Sequence, residues 1–243
     1  MGAALVLADV TRFLLLDRLK SDLAATVSHE FKTPLTSLRL AVHVLLEEAV
    51  GPLTAKQTEL LLQAREDTER LLHMIESLLT LARLERGDGM SMRTVDPLSL
   101  LRTVAANAMP RAEDKHVGLM VEGEEGPQVR ADPERMAQAL NNLVDNALTH
   151  TPPGGKVVLG ASLEDGKVVL SVRDTGPGIP PEWLPRVFTR FFRVPGQQHP
   201  GTGLGLHIVQ EIAQAHNGEV ACESTPGQGT TFRLAFPVAG DRR

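Results

Sequence analysis

The sequence predicts an α + α/β protein: a helical hairpin that pairs with a second copy as a dimeric four-helix bundle, followed by an α/β sandwich. Three observations carry this. From about Thr11 to Glu85 apolar residues recur at helical spacing, with a single break at Gly51-Pro52. The apolar stripes on both arms are too wide for two helices to cover. After Arg86-Gly87-Asp88-Gly89 the pattern changes to alternating strands and helices.

At 243 residues the chain exceeds a typical domain of about 100–150 residues, so two units are expected. Apolar residues make up 42% and run through the whole length, which supports a proper core and excludes a disordered chain. A formal charge of -5 offers no basic field for nucleic acid. The one cysteine, Cys222, can neither close an internal disulfide nor form a thiolate cluster, which fits a cytoplasmic address. No apolar run approaches the roughly 18–20 residues of a membrane-spanning helix, and Met1-Gly2-Ala3 lacks a basic signal-peptide start. The run Ala3–Leu7 leads straight into a helix, which suggests a piece whose upstream part is missing.

In the first arm Val27, Phe31, Pro34, Leu38, Ala41 and Leu45 alternate in steps of three and four, with Leu35 and Val42 beside them. In the second arm Leu61, Ala64, Thr68, Leu71, Ile75, Leu78 and Ala82 do the same, widened by Leu72 and Leu79. Pairing with a second hairpin buries both stripes. In the second unit, strands are expected at 117–121, 156–163, 167–173, 219–223 and 230–236. Helices are expected at 97–115, 133–149 and 204–216, the second capped by Asp132 with Pro133 in its first turn.

Four strings carry chemistry. With Phe31 and Pro34 turned into the bundle, His29 lies about 200° around the helix from Val27 and faces solvent. A neutral imidazole is a competent nucleophile, and Glu30 can orient the ring or take its proton. Thr33 shares that face, and Pro34 removes the hydrogen bond to the Glu30 carbonyl, so the helix bends there. Asn142 and Asn146, spaced i, i+4, share the polar face of a helix whose Met136, Leu140, Leu143 and Ala147 face the core; their amide oxygens suit a magnesium ion otherwise dressed by phosphates and water. Asp174 has the inward parity of Val168, Leu170 and Val172, so a carboxylate is aimed inward where the amino group of adenine would satisfy it. Gly176 and Gly178 let the backbone pass close to a planar base. Gly201-Thr202-Gly203-Leu204-Gly205-Leu206 precedes an amphipathic helix whose first amides can cradle phosphate, though the lysine and hydroxyl of a Walker loop are missing. Between the glycine strings, Phe188–Arg193 and the polar run 195–200 read as a lid carrying an arginine. Each string alone has a bland alternative: a surface histidine at a kink, solvated asparagines, a turn, an ordinary loop.

Together, in this order and spacing, they resemble the sensor histidine kinases of two-component systems over about Asp17–Pro237. Ser28–Leu35 is similar to that family's H box, Asn142–Asn146 to its N box, Asp174–Ile179 and Gly201–Leu206 to its two glycine boxes, and Phe188–Phe192 to its F box. The resemblance implies a Bergerat-type ATP-binding domain at 92–243, a dimerisation and phosphotransfer hairpin at 12–86 and a linker at 87–91. It implies that His29 is phosphorylated from Mg-ATP, that Glu30 assists, and that Thr33 serves a phosphatase activity. Asn146 would hold Mg2+, Asn142 contact phosphate, Asp174 read adenine, and Arg193 or Arg190 act from the lid. Thr230 matches a hydroxyl residue common near the nucleotide, and Ile179, Thr202, Leu204 and Leu206 fall within the boxes. The implied partners are a second copy of the chain and a response-regulator receiver domain whose aspartate takes the phosphoryl group. Residues 1–11, through Ala4–Thr11, are similar to the end of a PAS sensor domain, which supports a missing upstream part. For the family, the full-length protein could be membrane-anchored, with no membrane contact by this part.

Two departures stand out. Thr149 replaces the Lys or Arg usual after the N box and His150 a common Tyr, so a phosphate contact is either lost or moved to His150. Asn142 stands where the related ATP-hydrolysing chaperones carry a water-activating Glu, and an amide is a poor base. That disfavours a chaperone-type ATPase. The other alternative, a nucleotide-binding scaffold without catalysis, is disfavoured by His29, Asn146 and Asp174 together.

Overall fold

The computed structural model describes residues 30–85, 90–124, 126–195 and 201–239. The segment expected to end a PAS domain and the nucleophile His29 lie outside the described residues. The chain divides into two compact units, Met1–Asp88 and Gly89–Arg243.

In the first unit, helix α1 is described over residues 30–46 and α2 spans Ala55–Glu85. Glu48 and Gly51, both at positive φ, turn the chain between them. Thr54 and Gln57 close a capping box at the start of α2: the Thr54 amide donates to Gln57 Oε1 (2.8 Å) and the Gln57 amide to Thr54 Oγ1 (3.4 Å). An ion pair from Lys32 to Glu76 (2.9 Å) links the arms. Val42, Thr68, Leu72 and Ala82 are buried within one hairpin, whereas Phe31, Leu38, Leu71 and Leu78 are 55%, 50%, 46% and 40% exposed. The expected seam therefore splits. Thr68, Leu72 and Ala82 close the hairpin itself, and the outward row of large apolar side chains is what a second hairpin would cover.

The second unit contains a five-stranded mixed sheet in the order β2-β4-β5-β7-β6, formed by β2 (Gly118–Gly123), β4 (Lys156–Glu164), β5 (Lys167–Asp174), β6 (Glu219–Thr225) and β7 (Gly229–Pro237). Among the described residues only β2 and β4 pair in parallel; the crossover between them carries β3 (Val129–Ala131) and α4 (Pro133–His150). Helices α3 (Pro97–Asp114), α4 and α5 (Gly205–Ala215) pack against the sheet. The five strands and three helices expected from the pattern are all present, with ends shifted by a residue or two. A short antiparallel pair, β1 (Arg93–Val95) with β3, and a 3-10 helix at Pro181–Arg186 were not expected. Their three to six residues are too short to show a period.

Periodicity places the core. Val157, Leu159, Val168, Leu170, Val172, Phe232, Leu234 and Phe236 alternate inward from the strands, facing Leu101, Val104 and Ala108 of α3, Met136, Leu140, Leu143 and Ala147 of α4, and Ile208, Val209 and Ile212 of α5. Each large side chain buried this way contributes about 1.5–3 kcal/mol. Asp96 caps α3 through Leu98 N–H (3.1 Å). Asp132 caps α4 through the amides of Glu134 (3.0 Å) and Arg135 (3.1 Å), followed by Pro133 at the first position. The far end of α5 is tied to this cap. His216, 3% exposed, donates from Nδ1 to the Ile212 carbonyl (2.7 Å) and accepts at Nε2 from the Asp132 amide (2.9 Å). Among the described residues no helix is long and apolar enough to cross a membrane.

Candidate functional site

The end of β5 delivers Asp174 into the interior, where it is 4% exposed. Its Oδ1 accepts from the amides of Gly176 (2.8 Å) and Thr230 (3.2 Å). Among the described residues its other oxygen takes no hydrogen bond, so an acceptor is presented at the end of the sheet. Burial pushes this carboxyl above the ordinary 3.8 despite the two amides, which favour the charged form. The loop after it cannot swing away. Gly178 sits at φ +73°, and a Cβ there would come within 2.3 Å of the Thr225 carbonyl oxygen. Gly176 is closed on its inner side, 2.9 Å separating an added Cβ from both Asp174 Oδ1 and the His150 carbonyl oxygen. The polypeptide is thus threaded between α4 and the β6–β7 hairpin, and only glycine fits.

Ser224, which carried no signal in the sequence, stitches this cluster together. Its hydroxyl accepts from the Ile179 amide (2.7 Å), donates to the Gly229 carbonyl (2.9 Å) and lies 2.9 Å from Thr230 Oγ1. With the Ser224 proton committed to Gly229, the Thr230 hydroxyl is the donor between them. His150, Asp174, Gly176, Gly178, Ile179 and Thr230 are therefore one neighbourhood. Thr175 Oγ1 accepts from the Lys156 amide (2.9 Å).

A second cluster forms where α5 begins. Leu204 is buried at its N-cap and offers no side-chain bond to the first amides; Thr202 Oγ1 accepts from the Leu204 amide (3.3 Å). Helix-start N–H groups without a cap are ready donors for an anion. The glycines divide by role. Gly203, at φ +69°, is required by the fold, since a Cβ would meet the Phe191 carbonyl carbon at 2.7 Å, whereas Gly201 has open space around it and Gly205 only ordinary contact with Asn142. Nothing in the packing demands glycine at 201 or 205, so their bareness is available to a ligand. Asn142 Nδ2 donates to the Gly205 carbonyl (3.3 Å), which turns its amide oxygen outward from that bond.

Helix α4 joins the clusters. Asn142, Asn146 and His150, each half-buried, recur every four residues and so span about 12 Å along one face. Leu206 is half-buried in the first turn of α5. Between the glycine strings the segment is anchored by aromatics: Phe188 lies edge-on to Phe232 (6.2 Å), Phe192 against Trp183 (5.9 Å), and the Arg186 guanidinium covers the Phe192 ring (4.6 Å). Arg190 and Arg193 are exposed. Of the expected mobile run 195–200, residues 196–200 lie outside the described residues. In the first unit Glu30 and Thr33 are exposed on α1 beside Pro34. Among the described residues no group of three or more His, Cys, Asp or Glu side chains could hold a metal.

Comparison with known proteins agrees with this division. Residues 131–240 match the histidine kinase-, DNA gyrase B- and HSP90-like ATPase family, and residues 19–87 match the His Kinase A phospho-acceptor domain. The chain is 34% identical over 240 residues to the alginate biosynthesis sensor protein KinB of Pseudomonas aeruginosa, covering 98% of this chain and 40% of that protein. It is 30% identical over 247 residues to the sensor histidine kinase WalK of Bacillus subtilis, covering 97% and 39%. Among solved structures, full-length ShkA in complex with AMPPNP superposes with a TM-score of 0.74 at 36% identity, over 90% of this chain and 46% of that one. The mycobacterial sensor histidine kinase MprB superposes at 0.54 with 31% identity, over 60% and 97%. The chain thus spans about two fifths of KinB and WalK.

Proposed function

Because this chain belongs to the sensor histidine kinases of two-component systems, we propose that it autophosphorylates His29 from Mg-ATP as a homodimer and passes the phosphoryl group to an aspartate of a response-regulator receiver domain. The observation that carries the reading is the pair of clusters bridged by one face of α4: a buried carboxylate with an open acceptor at one end and uncapped helix amides at the other. An adenine amino group fits the first and a triphosphate the second.

Asp174 accepts from the adenine N6 amino group, with Gly176, Gly178 and Ile179 lining the base and Thr230 holding the carboxylate in place. The amides of Gly203–Leu206, with Gly201 and Thr202 leading in, take the phosphates. Asn142 reaches the phosphates and Asn146 donates its amide oxygen to Mg2+; hard neutral oxygens fit an ion that keeps most of its shell as water and phosphate. Bound beside Asn146, magnesium would offset the negative charge that develops on the transferred phosphoryl group. Arg193 and Arg190 add positive charge from the lid segment. His29 attacks the γ-phosphorus in line: the N–P bond forms as the P–O bond to ADP breaks, and Glu30 takes the proton from the opposite ring nitrogen. Thr33 orients water when the phosphorylated regulator is hydrolysed. Bending at Pro34 exchanges His29 between ATP and the regulator.

Incubation with γ-labelled ATP and magnesium tests this. The native chain should take up label that is acid-labile and alkali-stable, and His29→Gln should take up none; label on His29→Gln, or steady ATP turnover by His29→Ala, would refute it.

A further inference from the structure

His207, third residue of α5, fastens the segment between the glycine strings to the helix. Its Nδ1 lies 3.0 Å from the Phe188 carbonyl oxygen, which can only accept, so Nδ1 carries the proton. Nε2 then holds a lone pair and accepts from Arg190 Nε–H at 2.6 Å. The Glu211 carboxylate, one turn along α5, is 3.5 Å from the same Nε2. That pairing needs a protonated ring, which could no longer accept from Arg190, so the neutral Nδ1–H tautomer is the one that satisfies both bonds. The ring is enclosed, with its side chain 11% exposed. Backbone contacts tie the same segment to the glycine string: the Phe191 amide donates to the Gly203 carbonyl (2.9 Å).

We propose that His207 is a positioning residue of the nucleotide site, holding the Arg190 guanidinium and the Phe188 carbonyl against the first turn of α5 so that the arginine is pre-set for phosphates bound at that helix start. The assignment rests on the nucleotide reading above. An arginine held by its Nε–H has already lost the side-chain freedom that binding would otherwise remove, so the effect falls on affinity rather than on the chemical step. The Nδ1–H bond to the Phe188 carbonyl sets the ring's orientation, and the Nε2 lone pair is the part that holds Arg190.

The test uses the full chain. Mg-ATP affinity by calorimetry and initial autophosphorylation rates against ATP concentration are measured for native, His207→Ala, His207→Asn, His207→Gln, Arg190→Ala and the double variant His207→Ala/Arg190→Ala. Asparagine reproduces the Nδ1 donor and glutamine the Nε2 acceptor. The expected result is Kd and KM raised by roughly fivefold or more in His207→Ala, His207→Asn and Arg190→Ala, with saturated rates of the two His207 variants within about twofold of native. His207→Gln should stay near native, and the double variant should be no worse than Arg190→Ala. Equal losses in His207→Gln and His207→Ala, additivity in the double variant, or native affinity in His207→Ala would overturn the assignment alone. Absence of Mg-ATP binding by the native chain would overturn the nucleotide reading and the assignment with it.

Discussion

Asp174 has one oxygen committed to two backbone amides and the other presented outward. Asp174→Asn keeps an acceptor for those amides only by turning its NH2 toward the adenine amino group, donor against donor. We expect a loss of about 10²-fold in ATP affinity, on the scale of a charged hydrogen bond replaced by a mismatch, measured by titration with a fluorescent nucleotide. The raised pKa of Asp174 implies that it protonates at a higher pH than an ordinary aspartate. ATP affinity should therefore begin to fall on acidification while pH is still above 3.8, the charged acceptor being the binding form. Gly178 is the companion case for the backbone. Gly178→Ala meets both a positive φ and the Thr225 carbonyl, and it should cost about 1–3 kcal/mol of domain stability in urea unfolding while weakening ATP binding.

Helices α4 and α5 both carry residues of the proposed nucleotide site, and one histidine joins the cap of the first to the end of the second. Burial lowers the His216 pKa below 6.5, outweighing the Ile212 carbonyl and the Asp132 charge, which favour the proton. Below pH about 6.5 the unfolded chain binds a proton that the native His216 refuses, so stability is fully present above that pH and is lost as pH falls toward the native pKa. Asp132 acts in the same direction lower down. Burial alone would raise it, but the amides of Ser91, Arg135 and Glu134 and the Arg135 charge hold it below 3.8, and its contribution is lost as pH falls past that value. Denaturant midpoints measured between pH 8 and pH 5.5 should fall for the native chain and stay flat for His216→Phe. At pH 8 that variant should be less stable by about 1–3 kcal/mol, because the buried Asp132 amide loses its acceptor. A native midpoint unchanged across this range would contradict the tautomer assigned to His216.

The proposed function requires the hairpin to find a second copy. Phe31, Leu38, Leu71 and Leu78 lie outside the hairpin's own core, and a row of large apolar side chains left in water is the usual mark of an interface. Leu71→Glu combined with Leu78→Glu should convert a dimer to a monomer in sedimentation velocity and abolish label on His29, while ATP binding by the second unit persists. Loss of ATP binding together with the dimer would show the nucleotide unit to depend on pairing, against two separately cored units.

Local rules settled much of this in the amino-acid string. Heptad spacing reported the two helices of the hairpin. The inward parity of Val168, Leu170 and Val172 carried on to Asp174. Asp132-Pro133 announced the start of α4, and the glycine strings announced two turns whose order and spacing implied the family. What lay beyond the sequence was contact between residues far apart in it. Ser224 meets Ile179 across 45 positions and His216 meets the Asp132 amide across 84, and neither residue type nor period marks such a pair. The division of Leu71 from Leu72, one outward and one buried, likewise waited on the packing of α1 against α2, because the stripe is wide enough to face either way. Side-chain period is a property of one element and can be read along the chain, whereas a hydrogen bond between elements exists only once the sheet order has brought them together.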